Sequence, residues 1–163
     1  MLSQYHEMFL ENFHRHNVEY LVIGGQAKAF HNQSKTCDLD VWAHLDEGNS
    51  ERLRRALKKW IVKYPTHNTG INVKEGQLVL KPKVQITFPT ADVWYLNKQD
   101  EQIKIGQKDG IDILTSVGEM SFADCYSRSS LSKIGEIIIR YLSVEDLALA
   151  DGVRVKSESE SVK

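Results

Sequence analysis

The chain has 163 residues and a mass of 18.6 kDa, about one domain at roughly 150 residues each. Hydrophobic residues make up 41% and charged residues 26%, enough for a globular core, which excludes wholesale disorder. Twenty-one Lys and Arg against 22 Asp and Glu leave a formal net charge of −1, which excludes a strongly basic nucleic-acid coat while allowing a local basic face.

In chain order, Ser3 is placed to cap a first helix that runs to about Asn17, with Leu2, Tyr5, Met8, Phe9 and Phe13 on one face. Residues 19–25 (EYLVIGG) read as a short buried strand stopped by Gly24 and Gly25, followed by a helical turn or two. Residues 37–44 (CDLDVWAH) alternate as a second strand. Asn49 or Ser50 caps the most regular helix, where Leu53, Ala56, Leu57, Trp60 and Ile61 follow the i, i+3, i+4, i+7, i+8 spacing. Its basic positions, Arg52, Arg54, Arg55, Lys58 and Lys59, read as a solvated face, with an RNA or tRNA contact as the sharper alternative.

Residues 77–80, 84–88 and 103–105 are strand candidates, and residues 91–96 fit strand or helix. Residues 110–116 (GIDILTS) form a firmer strand, 119–127 a helix and 136–142 (EIIIRYL) a strand. Ser143 opens a final helix with a capping-box-like SVED. Residues 154–163 lack an apolar face and read as a fraying or disordered tail. The alternation indicates an α+β, or mixed α/β, fold with helices packed on a mixed sheet.

No apolar run approaches the ~18 residues of a membrane helix, and residues 1–15 are too polar and charged for a secretion signal. Cys37 and Cys125 form no CxxC pair and read as reduced thiols of a cytoplasmic protein, and neither the cysteines nor the histidines show zinc-ligand spacing. Trp42, Trp60 and Trp94 read as core or interface residues.

Asp38 and Asp40 are two apart in a predicted strand, so both side chains fall on one face, opposite Leu39 and Val41. Such a pair either stays wet or takes a cation, and hard carboxylate oxygens suit Mg²⁺ shared with substrate phosphates. Gly24 and Gly25 end the preceding strand, with twelve residues between Gly25 and Asp38. Glycines at a strand-to-helix turn let backbone amides approach a phosphate. Strand, Gly-Gly, short helix and D-x-D strand together place a phosphate cradle beside a pair of metal-binding carboxylates.

The segment VIGGQAKAFHNQSKTCDLDVW resembles the signature of the nucleotidyltransferase superfamily related to DNA polymerase β, in which a Gly-Gly or Gly-Ser precedes an alternating Asp-x-Asp strand. Within it the chain is most similar to the small bacterial AbiEii-type nucleotidyltransferase-like proteins: Gly24, Gly25 and Ala27 match their Gly-Gly-x-Ala start, and His31 a following His. The resemblance implies a third carboxylate from a later strand, for which Asp112 in GIDILTSVGEMSF is favoured and Asp92 is the competitor. Two-metal phosphoryl transfer needs such a carboxylate on a strand beside the Asp-x-Asp pair.

The resemblance further implies a single nucleotidyltransferase-like domain over residues 1–153, Mg²⁺ (or Mn²⁺) on Asp38, Asp40 and Asp112, and nucleotide contacts from Gly24, Gly25, His31 and Lys35. The implied reaction moves a nucleoside monophosphate from an NTP to an acceptor hydroxyl of RNA, tRNA or protein. The setting would be toxin–antitoxin or defence, with a partner protein or a homo-oligomer possible. Two departures stand out. Lys35 is displaced by one position from the family's basic residue, and ALADGVRVKSESE lacks the late-helix lysine that contacts triphosphate. Two alternatives therefore stay open: a catalytically degenerate binding module, and a small-molecule (antibiotic-type) nucleotidyltransferase.

Overall fold

The computed structural model describes residues 2–33, 38–63, 77–80, 84–87, 95–97, 102–105 and 111–161, and the side chains of 2–33, 38–60 and 111–152. Lys35, Cys37, Asp92 and Trp94 lie outside the described residues, as does the side chain of Ile61. Among the described residues the order is α1 (Gln4–Arg15), β1 (Tyr20–Ile23), α2 (Gly24–Phe30), β2 (Leu39–Ala43), α3 (Glu47–Lys63), β3 (Gln77–Leu80), β4 (Val84–Thr87), β5 (Tyr95–Asn97), β6 (Gln102–Ile105), β7 (Ile111–Leu114), α4 (Phe122–Ser127), β8 (Ser130–Ile134), β9 (Ile137–Tyr141) and α5 (Val144–Ser161). The fold is mixed α+β. Its main sheet has the order β5-β6-β7-β2-β1-β9-β8, and β3 and β4 form a separate antiparallel pair. No described helix is long and apolar enough to cross a membrane.

The centre of the sheet is its driest part. β1 pairs antiparallel with β2 and parallel with β9, and β2 pairs parallel with β7. All four residues of β1 are buried, as are Leu39, Val41, Trp42, Ala43, Ile111 and Ile113. A strand buried on both faces reads as a continuous apolar run, which is why YLVI shows no alternation.

One face is covered by α1 and α3. Ser3 Oγ accepts the His6 amide at 3.1 Å, and His6 Nδ1 accepts the Ser3 amide at 3.4 Å, a capping box with histidine where glutamate is usual. The buried stripe of α1 is His6, Phe9, Leu10 and Phe13, at i, i+3, i+4 and i+7. Leu2, Tyr5 and Met8 pack only at its margin, so the inward face lies one position from the one expected. Phe13 meets Tyr20 edge-on at 5.4 Å, and Phe9 meets Trp60 of α3 at 5.1 Å.

The cap of α3 also differs from expectation. Asp46 accepts the Asn49 amide at 2.7 Å, so the helix starts earlier and Asn49 and Ser50 lie inside it, fully buried. Asn49 has another task. Its Oδ1 accepts the Glu19 amide at 2.7 Å, and its Nδ2 donates to the carbonyls of Glu19 at 3.0 Å and His44 at 2.7 Å. One buried amide thus joins the start of β1, the end of β2 and the first turn of α3. Leu53, Ala56, Leu57 and Trp60 are buried as their spacing predicts.

Three further differences concern the C-terminal third. The polar strand β8 was absent from the sequence reading; it pairs antiparallel with β9 through a turn at Gly135, where φ is +58°. Its SLSKI sequence sits at the sheet edge with Leu131 exposed, so it lacks the apolar face that marks a strand. α4 starts at Phe122, capped by Ser121. The helical backbone of α5 continues to Ser161, beyond the point where residues 154–163 were expected to fray. At its start, Ser143 Oγ accepts the Asp146 amide at 3.1 Å.

Asp146 itself is buried and takes two bonds from Arg128, at 3.0 and 3.2 Å. Burial alone would push its carboxyl up; the bonds from Arg128 and Ser143 outweigh that and hold it below the usual aspartate value. The unfolded chain therefore binds this proton more readily. The stabilisation is present above the ordinary carboxylate range and is lost as pH falls through the folded-state value. Asp146→Asn should lower Tm at pH 7, and the difference from wild type should shrink as pH falls below the ordinary aspartate value. Asn49→Ala should cost about 2–3 kcal/mol in urea unfolding, because it strips the partners of the Glu19 amide and the His44 carbonyl.

Candidate functional site

The parallel register of β2 and β7 sets Asp40 directly beside Asp112, with Leu39 beside Ile111 and Val41 beside Ile113. In-register neighbours in a sheet project to the same face, about 4.8 Å apart. The apolar partners fill the core on the α1–α3 side, so both aspartates project from the other face. Asp40 is half-buried and Asp112 is 9% exposed. Two residues further along the same face, Trp42 packs edge-on against Phe122 of α4 at 5.2 Å. α4 thus covers this face beside Trp42.

Asp38 does not belong to the strand. It is exposed and directly precedes Leu39, so strand alternation does not set its side chain. The structure therefore unites Asp40 and Asp112 by register, and brings Asp38 to the same strand end by chain proximity alone.

Gly24 and Gly25 form the first turn of α2, where the sequence suggested a free turn between strand and helix. Gly24 has φ +61°, a left-handed conformation that L side chains rarely adopt. It follows Ile23, the register partner of Asp40. A Cβ at Gly24 would overlap Oδ2 of Asp40 and lie 3.3 Å from its Cβ and Cγ. The missing side chain is thus what lets the backbone lie against the carboxylate.

His31, the C-cap of α2, has its Nε2 2.9 Å from the Leu142 carbonyl and its ring edge-on to Phe30 at 5.0 Å. That nitrogen is used in tying α2 to the end of β9. α2 is also joined to α5 by Lys28 and Asp151, 2.9 Å apart. On α3, Glu51 takes Arg54 and Arg55, and Arg52 donates to the Asn17 carbonyl, so these arginines serve local contacts. A cavity of about 270 Å³ lies between α1, α2 and the β8–β9 hairpin, lined by Phe30, Tyr141 and Gln26 among others. Tyr141 is in register with Val22, which pairs with Val41, so the cavity is on the opposite face from Asp40 and Asp112.

The structure also assembles a group that the sequence reading missed. Nδ1 of His44 lies 2.9 Å from Oε2 of Glu19 and 3.2 Å from Oδ2 of Asp46. Glu19 is twenty-five residues from His44 in the chain, so no short spacing announces the group. Only the β1–β2 pairing, which sets the residue before β1 beside the residue after β2, brings it together.

No family model matches this chain, and no curated protein matches it.

Gly24→Ala should destabilise the fold by about 1–2 kcal/mol from the left-handed backbone alone, plus the displacement of Asp40. In an Asp40→Ala background the second part disappears. A double-mutant cycle read by urea unfolding should therefore give a coupling energy of at least about 0.5 kcal/mol.

Proposed function

We propose that this chain is a metal-dependent nucleotidyltransferase that moves a nucleoside monophosphate from an NTP to an acceptor hydroxyl. The observation that carries the reading is the in-register Asp40–Asp112 pair on one sheet face, with the left-handed Gly24 packed against Asp40. The resemblance of residues 19–42 and 110 to about 147 to the polymerase β-related superfamily supports it independently of that geometry.

The donor set suits Mg²⁺ or Mn²⁺, hard cations that prefer carboxylate oxygens, and Gly24, which presents no Cβ, lets the backbone lie close against Asp40. Asp38, Asp40 and Asp112 would hold the ion. When bound, it neutralises triphosphate charge and makes the acceptor hydroxyl more acidic. The protein's own part is positioning. The core residues Leu39, Val41, Ile111 and Ile113 lock the two strands, so the carboxylates keep a fixed separation. The backbone of Gly24 and Gly25 borders the nucleotide phosphates. In the reaction the acceptor hydroxyl loses its proton to solvent, its oxygen bonds to the α-phosphorus as the bond to the bridging oxygen breaks, and pyrophosphate leaves. RNA, tRNA or protein is the acceptor, in the toxin–antitoxin or defence setting that the resemblance implies.

A second reading, a non-catalytic module that keeps the fold and binds a partner, is favoured by one observation. Where the proteins that the chain resembles carry a triphosphate-contacting lysine, α5 presents Ala148, Leu149, Ala150 and Asp151, and Asp151 pairs with Lys28 of α2.

Incubation with each α-labelled NTP, Mg²⁺ or Mn²⁺, and total RNA or cell lysate should transfer label to a macromolecule. Asp40→Asn and Asp112→Asn should each reduce transfer at least ~100-fold, as expected when charge-stabilising groups are removed from a transition state. Both variants should also lose the rise in Tm that Mn²⁺ plus NTP gives the wild type. No effect of metal and NTP on Tm, together with no labelled acceptor, would leave the binding module as the reading.

A further inference from the structure

We propose that Glu19, His44 and Asp46 form a binding site for a transition-metal dication of the zinc class, at the opposite end of β2 from Asp40. The argument starts from the convergence of two carboxylates on one nitrogen. Nδ1 of His44 faces Oε2 of Glu19 at 2.9 Å and Oδ2 of Asp46 at 3.2 Å, and the three ligand atoms lie within 4.8 Å of one another. A single N–H proton is directed well at only one of two oxygens. A dication in its place serves both and removes the repulsion between them. Imidazole nitrogen with two carboxylate oxygens is a donor set for zinc-class ions, whose ligand bonds of about 2.0–2.2 Å fit donor atoms about 3–3.5 Å apart.

The side chains of His44 and Asp46 are held from behind, as metal ligands usually are, and Glu19 is held by its backbone. The other oxygen of Asp46, Oδ1, accepts the Asn49 amide at 2.7 Å. Asn49 bonds the Glu19 amide and carbonyl and the His44 carbonyl, so both backbones are fixed. The imidazole of His44 lies flat on Phe122, with ring centres 4.6 Å apart and planes 6° from parallel. Exposures of 44% for Glu19, 30% for His44 and 46% for Asp46 leave a path for the ion and for water to complete its shell. His44 is four residues beyond Asp40 on an extended chain, about 13 Å at ~3.3 Å per residue, so the site is separate from the Asp40–Asp112 pair. An ion there would clamp the start of β1, the end of β2 and the first turn of α3. The inference does not depend on the nucleotidyltransferase reading.

The test is titration of the full chain with Co²⁺, followed by visible absorption, and with Zn²⁺, followed by Tm. Wild type should develop a cobalt spectrum of nitrogen and oxygen ligation, displaced by Zn²⁺, and its Tm should rise with Zn²⁺. His44→Gln and Asp46→Ser should each weaken Co²⁺ binding at least tenfold. Serine retains a capping oxygen for the Asn49 amide, so Asp46→Ser keeps the test open if His44→Gln fails to fold. Asp40→Asn/Asp112→Asn should bind Co²⁺ here as wild type does. No saturable Co²⁺ binding, unchanged affinity in a folded Asp46→Ser, a thiolate-to-cobalt charge-transfer band, or loss of the signal in Asp40→Asn/Asp112→Asn would overturn the proposal.

Discussion

The candidate site depends on one constraint: β2 and β7 run parallel and in register between two layers, and their apolar residues can satisfy only one face. Leu39, Val41, Ile111 and Ile113 are all fully buried, and each large aliphatic side chain contributes about 1.5–3 kcal/mol when removed from water. A one-residue slip of either strand would turn its pair of apolar side chains towards the opposite face and drive an aspartate into the α1–α3 core. The register that keeps the core dry is therefore the register that sets Asp40 beside Asp112. Packing energy positions the carboxylates, and no direct bond between them is required.

The surroundings of the pair follow from how the chain leaves β1. Ile23 is the last strand residue and the register partner of Asp40, so the next residue must turn beside a carboxylate. Glycine alone takes φ +61° at little cost and presents no Cβ there. α2 then starts at once, and its far end is held by the His31 ring on the Leu142 carbonyl, by Lys28 on Asp151 and by the Phe30 ring stacked on Tyr141. Next to Leu142, Ser143 and Asp146 open α5, and Arg128 beyond α4 closes on the buried Asp146 carboxylate. The turn at Gly24 is thus braced by a chain of polar contacts that reaches the C-terminal helix.

The opposite end of the β1–β2 pair is organised on a different principle. There a single buried amide, Asn49, satisfies three backbone groups of the residues that flank the two strands. An unpaired buried amide or carbonyl costs about 1–3 kcal/mol, so this residue fixes where β1 begins and where β2 ends. His44, Glu19 and Asp46 gather around that joint because their backbones are already held. One end of the strand pair therefore presents carboxylates with Gly24 packed against Asp40, and the other presents a histidine between two carboxylates.

Local chemistry was enough to read most elements. The glycine pair after YLVI, the alternation of LDVWA and IDIL, the amphipathic spacing of Leu53 to Trp60 and the serine caps at Ser3 and Ser143 are all properties of short windows. That Asp40 and Asp112 belong to strands with buried neighbours was equally legible, because Asp112 stands between Ile111 and Ile113. Their adjacency was expected only from the resemblance and the mechanism it implies, since strand order and direction are set by long-range packing between segments some seventy residues apart. For the same reason the resemblance to nucleotidyltransferases named the carboxylates without showing their register. Asp46 displaced Asn49 as the α3 cap because Asn49 was drawn into the β1–β2 joint, a tertiary demand that no window contains. The edge strand β8 escaped notice because pairing with β9, and not burial, makes it a strand. The sequence by itself determined the periodicities, the turns and the chemistry available; tertiary structure decided which of those residues meet, because register and strand order are settled by burying all the apolar faces at once.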